Sequence, residues 1–189
     1  TLRIIAPTDG AIAHWNEALQ LPPRRIGEVV VKGANVSPKY LNRPDANKLA
    51  KIPDGDGFWH RMGDMGFLDD SGNLFFCGRK AHEVTTVTRA YYSDPVENVF
   101  NTHAWVRRSA LIALPQQPFV AVAIEPLPEK FPHSREDRQA FAESLREIGI
   151  TSPVTQGITT FFFHASFPVD ARHNAKIFRD KLGEWASSH

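Results

Sequence analysis

The chain has 189 residues, of which 42% are hydrophobic and 23% charged, with a formal net charge of +1. This ordinary globular balance supplies one medium domain or two small ones, and nothing in it points to a nucleic-acid backbone or an anionic membrane as the main partner. A single cysteine, Cys77, excludes an internal disulfide and suits a reducing cytoplasm, and no apolar run approaches the ~20 residues that cross a bilayer.

In chain order, Leu2 to Ala6 reads as a strand and Pro7-Thr-Asp-Gly10 as a turn. The opening lacks both an initiating Met and the charged-then-apolar order of a signal peptide, so a piece of a longer protein is expected. Residues 11–26 are irregular, and Gly27-Glu-Val-Val-Val-Lys-Gly33 is a β-branched strand bounded by glycines. Tyr40-Leu-Asn-Arg-Pro-Asp45 turns into a short polar helix around Ala46–Ala50, and Pro53-Asp-Gly-Asp-Gly57 is a tight loop. Two strand-like runs, Trp59–Leu68 and Leu74–Arg79, then flank the turn-forming cluster Asp69-Asp-Ser-Gly-Asn73 and predict a β-hairpin. Folding about Ser71 and Gly72 places Asp64 opposite Arg79. The strands up to residue 78 are too few for an independent sheet with a good core, which predicts the end of a larger domain.

Beyond Arg79 the pattern changes. Val84–Thr88 is strand-like, and Asp94-Pro-Val-Glu97 predicts a helix with Asp94 as N-cap and Glu97 closing a capping box. Val106–Leu114 and Phe119–Glu125 read as strands joined by Pro115-Gln-Gln-Pro118. Ser134 with Asp137 caps a second helix, carrying Phe141, Leu145 and Ile148 on one face and ending at Gly149. Thr159–His164 is a further strand, and a last helix is expected from about Ala175 to Ala186. Such alternation predicts a compact α+β domain from residue 82 to the end.

Four features could carry chemistry. Asp64 beside Arg79 could clasp a vicinal diol such as a ribose, the carboxylate accepting from two hydroxyls, or could be a solvated cross-strand ion pair. Lys176, read at the start of the last helix, could share a bound anion with the helix N–H groups, or be a solvated lysine. The histidines at 60, 82, 103, 133, 164 and 173 lack the close Cys, Asp or Glu spacing of a zinc site, so no metal residues are assigned. Gly27 and Gly33 could admit a ligand but are more simply turn residues, and no phosphate-cradling glycine loop or Gly-x-Ser-x-Gly elbow is present.

Taken together, Gly27-Glu-Val-Val-Val-Lys-Gly33 with Tyr40-Leu-Asn-Arg-Pro44, His60-Arg-Met-Gly-Asp64, Gly78-Arg79 and Asn174-Ala-Lys176 resemble, in order and spacing, the C-terminal part of the adenylate-forming superfamily. This group holds acyl-CoA synthetases, peptide-synthetase adenylation domains and luciferases. The resemblance implies that Asp64 and Arg79 hold the ribose of ATP and that Lys176 stabilises the carboxylate and α-phosphate during adenylation. It also implies that residues 1–78 are the last β-barrel portion of a large domain, 79–81 (Arg79, Lys80, Ala81) a hinge, and 82–189 a small mobile α+β domain that rotates between half-reactions. ATP with Mg2+ is the implied cofactor pair, most of its site lying upstream.

Two departures bear on activity. Ala81 stands where the family commonly has Asp or Lys, and Thr85-Thr-Val-Thr-Arg-Ala90 replaces the Lys-x-x-Gly stretch beside the CoA channel. Cys77-Gly-Arg-Lys-Ala-His82, Pro95–His103 and Val169–Arg179 are similar to the olefin-biosynthesis β-lactone synthetases, which need no CoA. The implied substrate is a β-hydroxy fatty acid, specifically a 2-alkyl-3-hydroxy acid, and the implied partners are the rest of the parent chain and other olefin-pathway enzymes. Long-chain acyl-CoA synthetase, acyl-AMP ligase and a non-catalytic interaction module are the alternatives.

Overall fold

Strand formation in the first part of the chain follows its β-branched and aromatic runs. In this computed structural model, which describes residues 1–114, 119–170 and 173–189, they become β1 (Leu2–Ile5), β2 (Gly27–Val31), β3 (Lys51–Asp54), β4 (Gly57–Leu68) and β5 (Leu74–Arg79). The helix α1 (Pro44–Ala50) begins two residues before the expected Ala46, because Pro44 at its first turn has its φ already set for a helix. The strands form a five-stranded sheet in the order β1-β2-β4-β3, with β5 also pairing with β4. These runs pair into one sheet, with a small core as expected. The twelve-residue β4 supplies the reason, since it is long enough to serve β2, β3 and β5. The sheet is open, and among the described residues it closes no barrel. Its core is small: Ile5, Val30, Ile52 and Trp59 are buried, with Trp15 stacked on Trp59 at 4.4 Å between ring centroids. Residues Thr1–Ala81 make up this unit.

His82–His189 form a second unit. A two-residue pair, β6 (Val84–Thr85) with β7 (Ala90–Tyr91), leads into α2 (Ser93–Phe100). The strands β8 (Val106–Ala113) and β9 (Val120–Pro126) are antiparallel, and the expected Pro115–Pro118 connection lies outside the described residues. From β9 the chain crosses through α3 (Arg135–Ile150) to β10 (Thr160–Phe163), which runs parallel to β9, as a crossover of this length permits. The hairpin β11 (Val169–Asp170) and β12 (His173–Ile177) precedes α4 (Arg179–Ala186).

Alternation with period two divides β9 between two cores. Val120, Val122 and Ile124 face Val96 and Phe100 of α2 and Phe141 and Leu145 of α3, whereas Ala121 and Ala123 face Leu182 and Ala186 of α4. Each fully buried Leu, Ile or Phe in these layers contributes about 1.5–3 kcal/mol. Ser134 and Asp137 form the expected reciprocal capping box on α3.

Three local expectations fail. Tyr92 occupies the cap position of α2 but its side chain does not cap the helix, and Glu97 turns inward instead of closing a box. Gly149 lies inside α3 rather than ending it. Its bare surface accepts the Phe100 ring, which an added Cβ would approach to 3.2 Å. The last helix starts at Arg179, and residues 173–177 form a strand instead.

Candidate functional site

The hairpin β4–β5 carries two of the residues singled out in the sequence. Asp69 organises its turn, accepting at Oδ1 from the backbone N–H groups of Ser71 (2.9 Å) and Asn73 (2.8 Å). The side-chain amide of Asn73 donates to Asp69 Oδ2 at 2.9 Å, and these bonds hold the Asp69 carboxyl below the usual range. Leu68 pairs with Leu74, Phe67 with Phe75 and Gly66 with Phe76, so this end of the hairpin is centred on Ser71 alone. A bulge between Phe76 and Gly78 then shifts the register by one, bringing Met65 opposite Gly78 and Asp64 opposite Arg79. The expected pair is thus formed, by way of a bulge that sequence alone did not reveal. Gly78 absorbs the kink at φ 119, a backbone conformation open to glycine.

Arg79 Nη1 stands 2.9 Å from Asp64 Oδ1 and donates to the Met62 carbonyl at 3.3 Å. The contact with Asp64 is Coulombic rather than a directed hydrogen bond, and Asp64 Oδ1 is buried without a hydrogen-bond partner. The carboxylate side chain is 18% exposed and the guanidinium 59%. A buried acceptor lacking a donor, beside a cation that reaches solvent, is a fitting receptor for a diol, whose hydroxyls would satisfy the carboxylate.

Sequence reasoning missed what holds β4 in place. Arg61 donates from Nε to Glu28 Oε1 (3.1 Å) and from Nη2 to Glu28 Oε2 (2.6 Å), with both side chains nearly fully buried. The same guanidinium donates to the carbonyls of Gly10 (2.8 Å), Leu49 (3.0 Å) and Thr8. Lys80 joins the cluster through the Thr8 carbonyl (2.5 Å), Asp9 (2.9 Å) and Glu28 (3.8 Å). Its hydrogen bond and charge hold the Asp9 carboxyl below the usual range. Arg79 ends β5, and Lys80, Ala81 and His82 form a single 3-10 turn immediately after it. The available signal was the occurrence of Glu28 and Arg61 inside the two motif segments that also hold Gly27 and Asp64.

Lys176 lies in the second unit, exposed on β12 and three residues before α4 begins. The reading that placed it at a helix N-terminus is corrected: a strand carries it, so no helix N–H groups share its ligand. Glu97 reaches toward the end of this hairpin, accepting twice from Arg179 Nη2 (2.7 and 2.8 Å) and once from the Leu111 N–H (2.8 Å). Burial pushes the Glu97 carboxyl up, and the Arg179 charge opposes that shift.

The segment Thr85–Ala90 turns tightly: the Thr86 N–H and hydroxyl both donate to the Arg89 carbonyl at 2.9 Å, and Val87 projects outward. Among the histidines, His60 Nδ1 lies 3.1 Å from the Ala50 carbonyl and His103 Nε2 lies 3.0 Å from Ser144 Oγ. No group of three or more His, Cys, Asp or Glu among the described residues is placed to hold a metal. Nor, among them, is any helix long and apolar enough to cross a membrane.

No protein-family model matches the chain. It is 42% identical over 198 aligned positions, covering 98% of the chain, to an olefin beta-lactone synthetase of Xanthomonas campestris. It is 40% identical, over 99% of the chain, to one of Stenotrophomonas maltophilia. The chain spans about a third of the length of these curated relatives, 34% in each case. A 2-succinylbenzoate–CoA ligase of Bacillus mycoides is 34% identical over 52% of the chain and 20% of its own length. Among solved structures, the ATP-bound RpMatB-BxBclM chimera B1 superposes with a TM-score of 0.77 at 24% identity, over 99% of this chain and 34% of that one. O-succinylbenzoate coenzyme A synthetase from Bacillus subtilis, in complex with AMP, gives 0.70 at 22% identity over 96% and 33%.

Proposed function

We propose that this chain, which corresponds to the C-terminal part of an adenylate-forming enzyme and is related to the olefin β-lactone synthetases, belongs to an ATP-dependent, AMP-forming ligase that closes β-hydroxy fatty acids to β-lactones. The observation that carries the reading is the 42% identity extending over 98% of the chain. In this reading Asp64 accepts from the ribose hydroxyls at the oxygen that otherwise lacks a donor, and Arg79 closes over the same sugar. Lys176 neutralises charge as the substrate carboxylate attacks the α-phosphate and pyrophosphate leaves, an electrostatic role that contributes several kcal/mol. The substrate's own 3-hydroxyl then attacks the activated acyl carbon, AMP departs and a four-membered ring forms. Magnesium accompanies the nucleotide phosphates, and no step is assigned to it through residues of this chain.

Residues 79–81 act as the hinge between 1–78 and 82–189, and the Lys80 cluster anchors the first side of it. The rest of the parent chain supplies the phosphate loop and acyl pocket, other enzymes of the olefin pathway are its partners, and the cytoplasm is its compartment. The exposed turn at Thr86–Arg89, where thioester-forming relatives carry a glycine beside the CoA channel, favours a reaction without CoA. The test supplies the full-length parent with ATP and a 2-alkyl-3-hydroxy fatty acid and looks for AMP and lactone. Products that appear only when CoA is added, as a thioester, overturn the reading in favour of an acyl-CoA synthetase. An acyl adenylate that accumulates without cyclising identifies an acyl-AMP ligase. The 189 residues alone are expected not to exchange pyrophosphate into ATP.

A further inference from the structure

The lysine-bearing hairpin β11–β12 lies in the second unit, and its two feet end on carboxylates, the buried Glu125 and the half-buried Glu97. Before β11, the Phe167 N–H donates to Glu125 Oε2 at 2.6 Å, and the Phe167 ring is buried against the α4 layer. Glu125, fully buried on β9, is held by Arg108 Nε (2.9 Å) and Arg107 Nη1 (3.0 Å). The Arg108 guanidinium also lies over the Phe167 ring, 5.4 Å from its centroid.

After β12, Arg179 makes its two bonds to Glu97, which is fixed in turn by the Leu111 N–H of β8. The feet are tied to each other where the Phe178 N–H donates to the Pro168 carbonyl at 2.9 Å. Val169 pairs with Ile177 just above that tie. Both carboxylates therefore converge on β8, Glu125 through Arg107 and Arg108 and Glu97 through Leu111. Val169 and Ile177, at the base of the hairpin, pack against the α4 layer, and a two-stranded hairpin needs such support because in isolation it is marginally stable in water. Lys176 stands three residues from Arg179, at most about 10 Å along an extended chain, so the clamp at Arg179 limits where its ammonium can reach.

We propose that Glu97 and Glu125 are positioning residues for Lys176, holding the two feet of its hairpin on β8 so that the ammonium is presented in one orientation. This role rests on the assignment of Lys176 to adenylation. A small misplacement of a catalytic group slows chemistry steeply without changing binding. The signature is therefore a loss in kcat with KM preserved, and the loss must pass through Lys176.

The experiment measures adenylation by the full-length parent as ATP-dependent AMP release, in wild type, Lys176→Ala, Glu97→Gln, Glu125→Gln and Arg179→Lys, together with the Glu97→Gln/Lys176→Ala double variant. Lys176→Ala should lose about 100-fold in kcat. Glu97→Gln and Glu125→Gln should each lose about 10-fold, with KM for ATP and acid within about twofold. Arg179→Lys, which keeps the charge on Glu97, should lie between Glu97→Gln and wild type. In the double variant the Glu97 substitution should cost nothing more than Lys176→Ala alone. Hydrogen exchange should accelerate over residues 169–177 in Glu97→Gln while the sheet residues keep their protection. Should one carboxylate variant fail to fold, the other and Arg179→Lys carry the same comparison. Wild-type kcat in the folded carboxylate variants, or an undiminished further loss in the Lys176→Ala background, overturns the positioning role alone. Wild-type activity of Lys176→Ala overturns the assignment of Lys176, and this role with it.

Discussion

Replacing Arg61 by Met tests the buried support of β4, the strand that also carries Asp64. The substitution keeps an apolar stem and removes a guanidinium that makes five hydrogen bonds: two to Glu28 and one each to the Thr8, Gly10 and Leu49 carbonyls. Glu28, 2% exposed, would keep only Lys80 at 3.8 Å as a counter-charge. Breaking a buried ion pair from one side costs about 3–5 kcal/mol. The carbonyls of Gly10 and Leu49 each lose a donor, about 1 kcal/mol apiece, whereas the Thr8 carbonyl retains Lys80. A total of roughly 5–7 kcal/mol rivals the whole stability of a small domain. Urea unfolding, followed by the near-ultraviolet circular dichroism of the stacked Trp15–Trp59 pair, reports the unit in question. Glu28→Leu combined with Arg61→Met leaves no stranded charge and should recover about 3 kcal/mol of the loss. A cost below about 2 kcal/mol for Arg61→Met, or a double variant no more stable than the single, would refute the reasoning.

Asp64→Ala in the full-length parent should raise KM for ATP by about 10–100-fold, since hydrogen bonds to a charged group are worth about 1.5–3 kcal/mol; an unchanged KM in a folded variant counts against the ribose assignment. Gly27→Ala should destabilise the first sheet by about 1–3 kcal/mol, because the new Cβ collides with the Ile5 carbonyl and with Leu21 where β1 crosses β2, and the urea midpoint reads the effect. Burial holds His103 and His164 below the ordinary value of 6.5. Their unfolded forms therefore take up protons first, and stability present above that pH is lost as the pH falls through it toward the folded values. Unfolding midpoints for the second unit should drop between about pH 7.5 and 5.5, and His103→Gln should reduce the drop.

Much of this architecture was legible in local sequence. The Val run of β2, the Asp69–Asn73 turn and the Ser134/Asp137 box each act within a few residues, where propensity and side-chain-to-backbone bonds suffice to specify structure. The pairing of Asp64 with Arg79 was also legible, although the one-residue bulge at Cys77 was not. A bulge depends on how β4 is shared among three partners, and that information is spread over fifty residues.

Glu97 marks the boundary most clearly. Its spacing from Asp94 imitates a capping box, and its side chain instead meets Arg179, 82 positions away, because burial between α2 and β8 makes that cation the stronger partner. Lys176 was recognised by its motif and misplaced by its local pattern. Residues 173–177 could extend a helical stripe, and pairing of Val169 with Ile177 makes them a strand. By itself, the sequence determined which segments resemble the relatives and in what order, and so which residues are proposed for adenylation. Tertiary structure alone decided the surrounding contacts: a buried Glu28–Arg61 pair joining β2 to β4, and, at the feet of the lysine hairpin, the buried Glu125 and the half-buried Glu97. The physical reason is that a buried charge selects its partner by proximity in space, and no periodicity in the chain encodes that proximity.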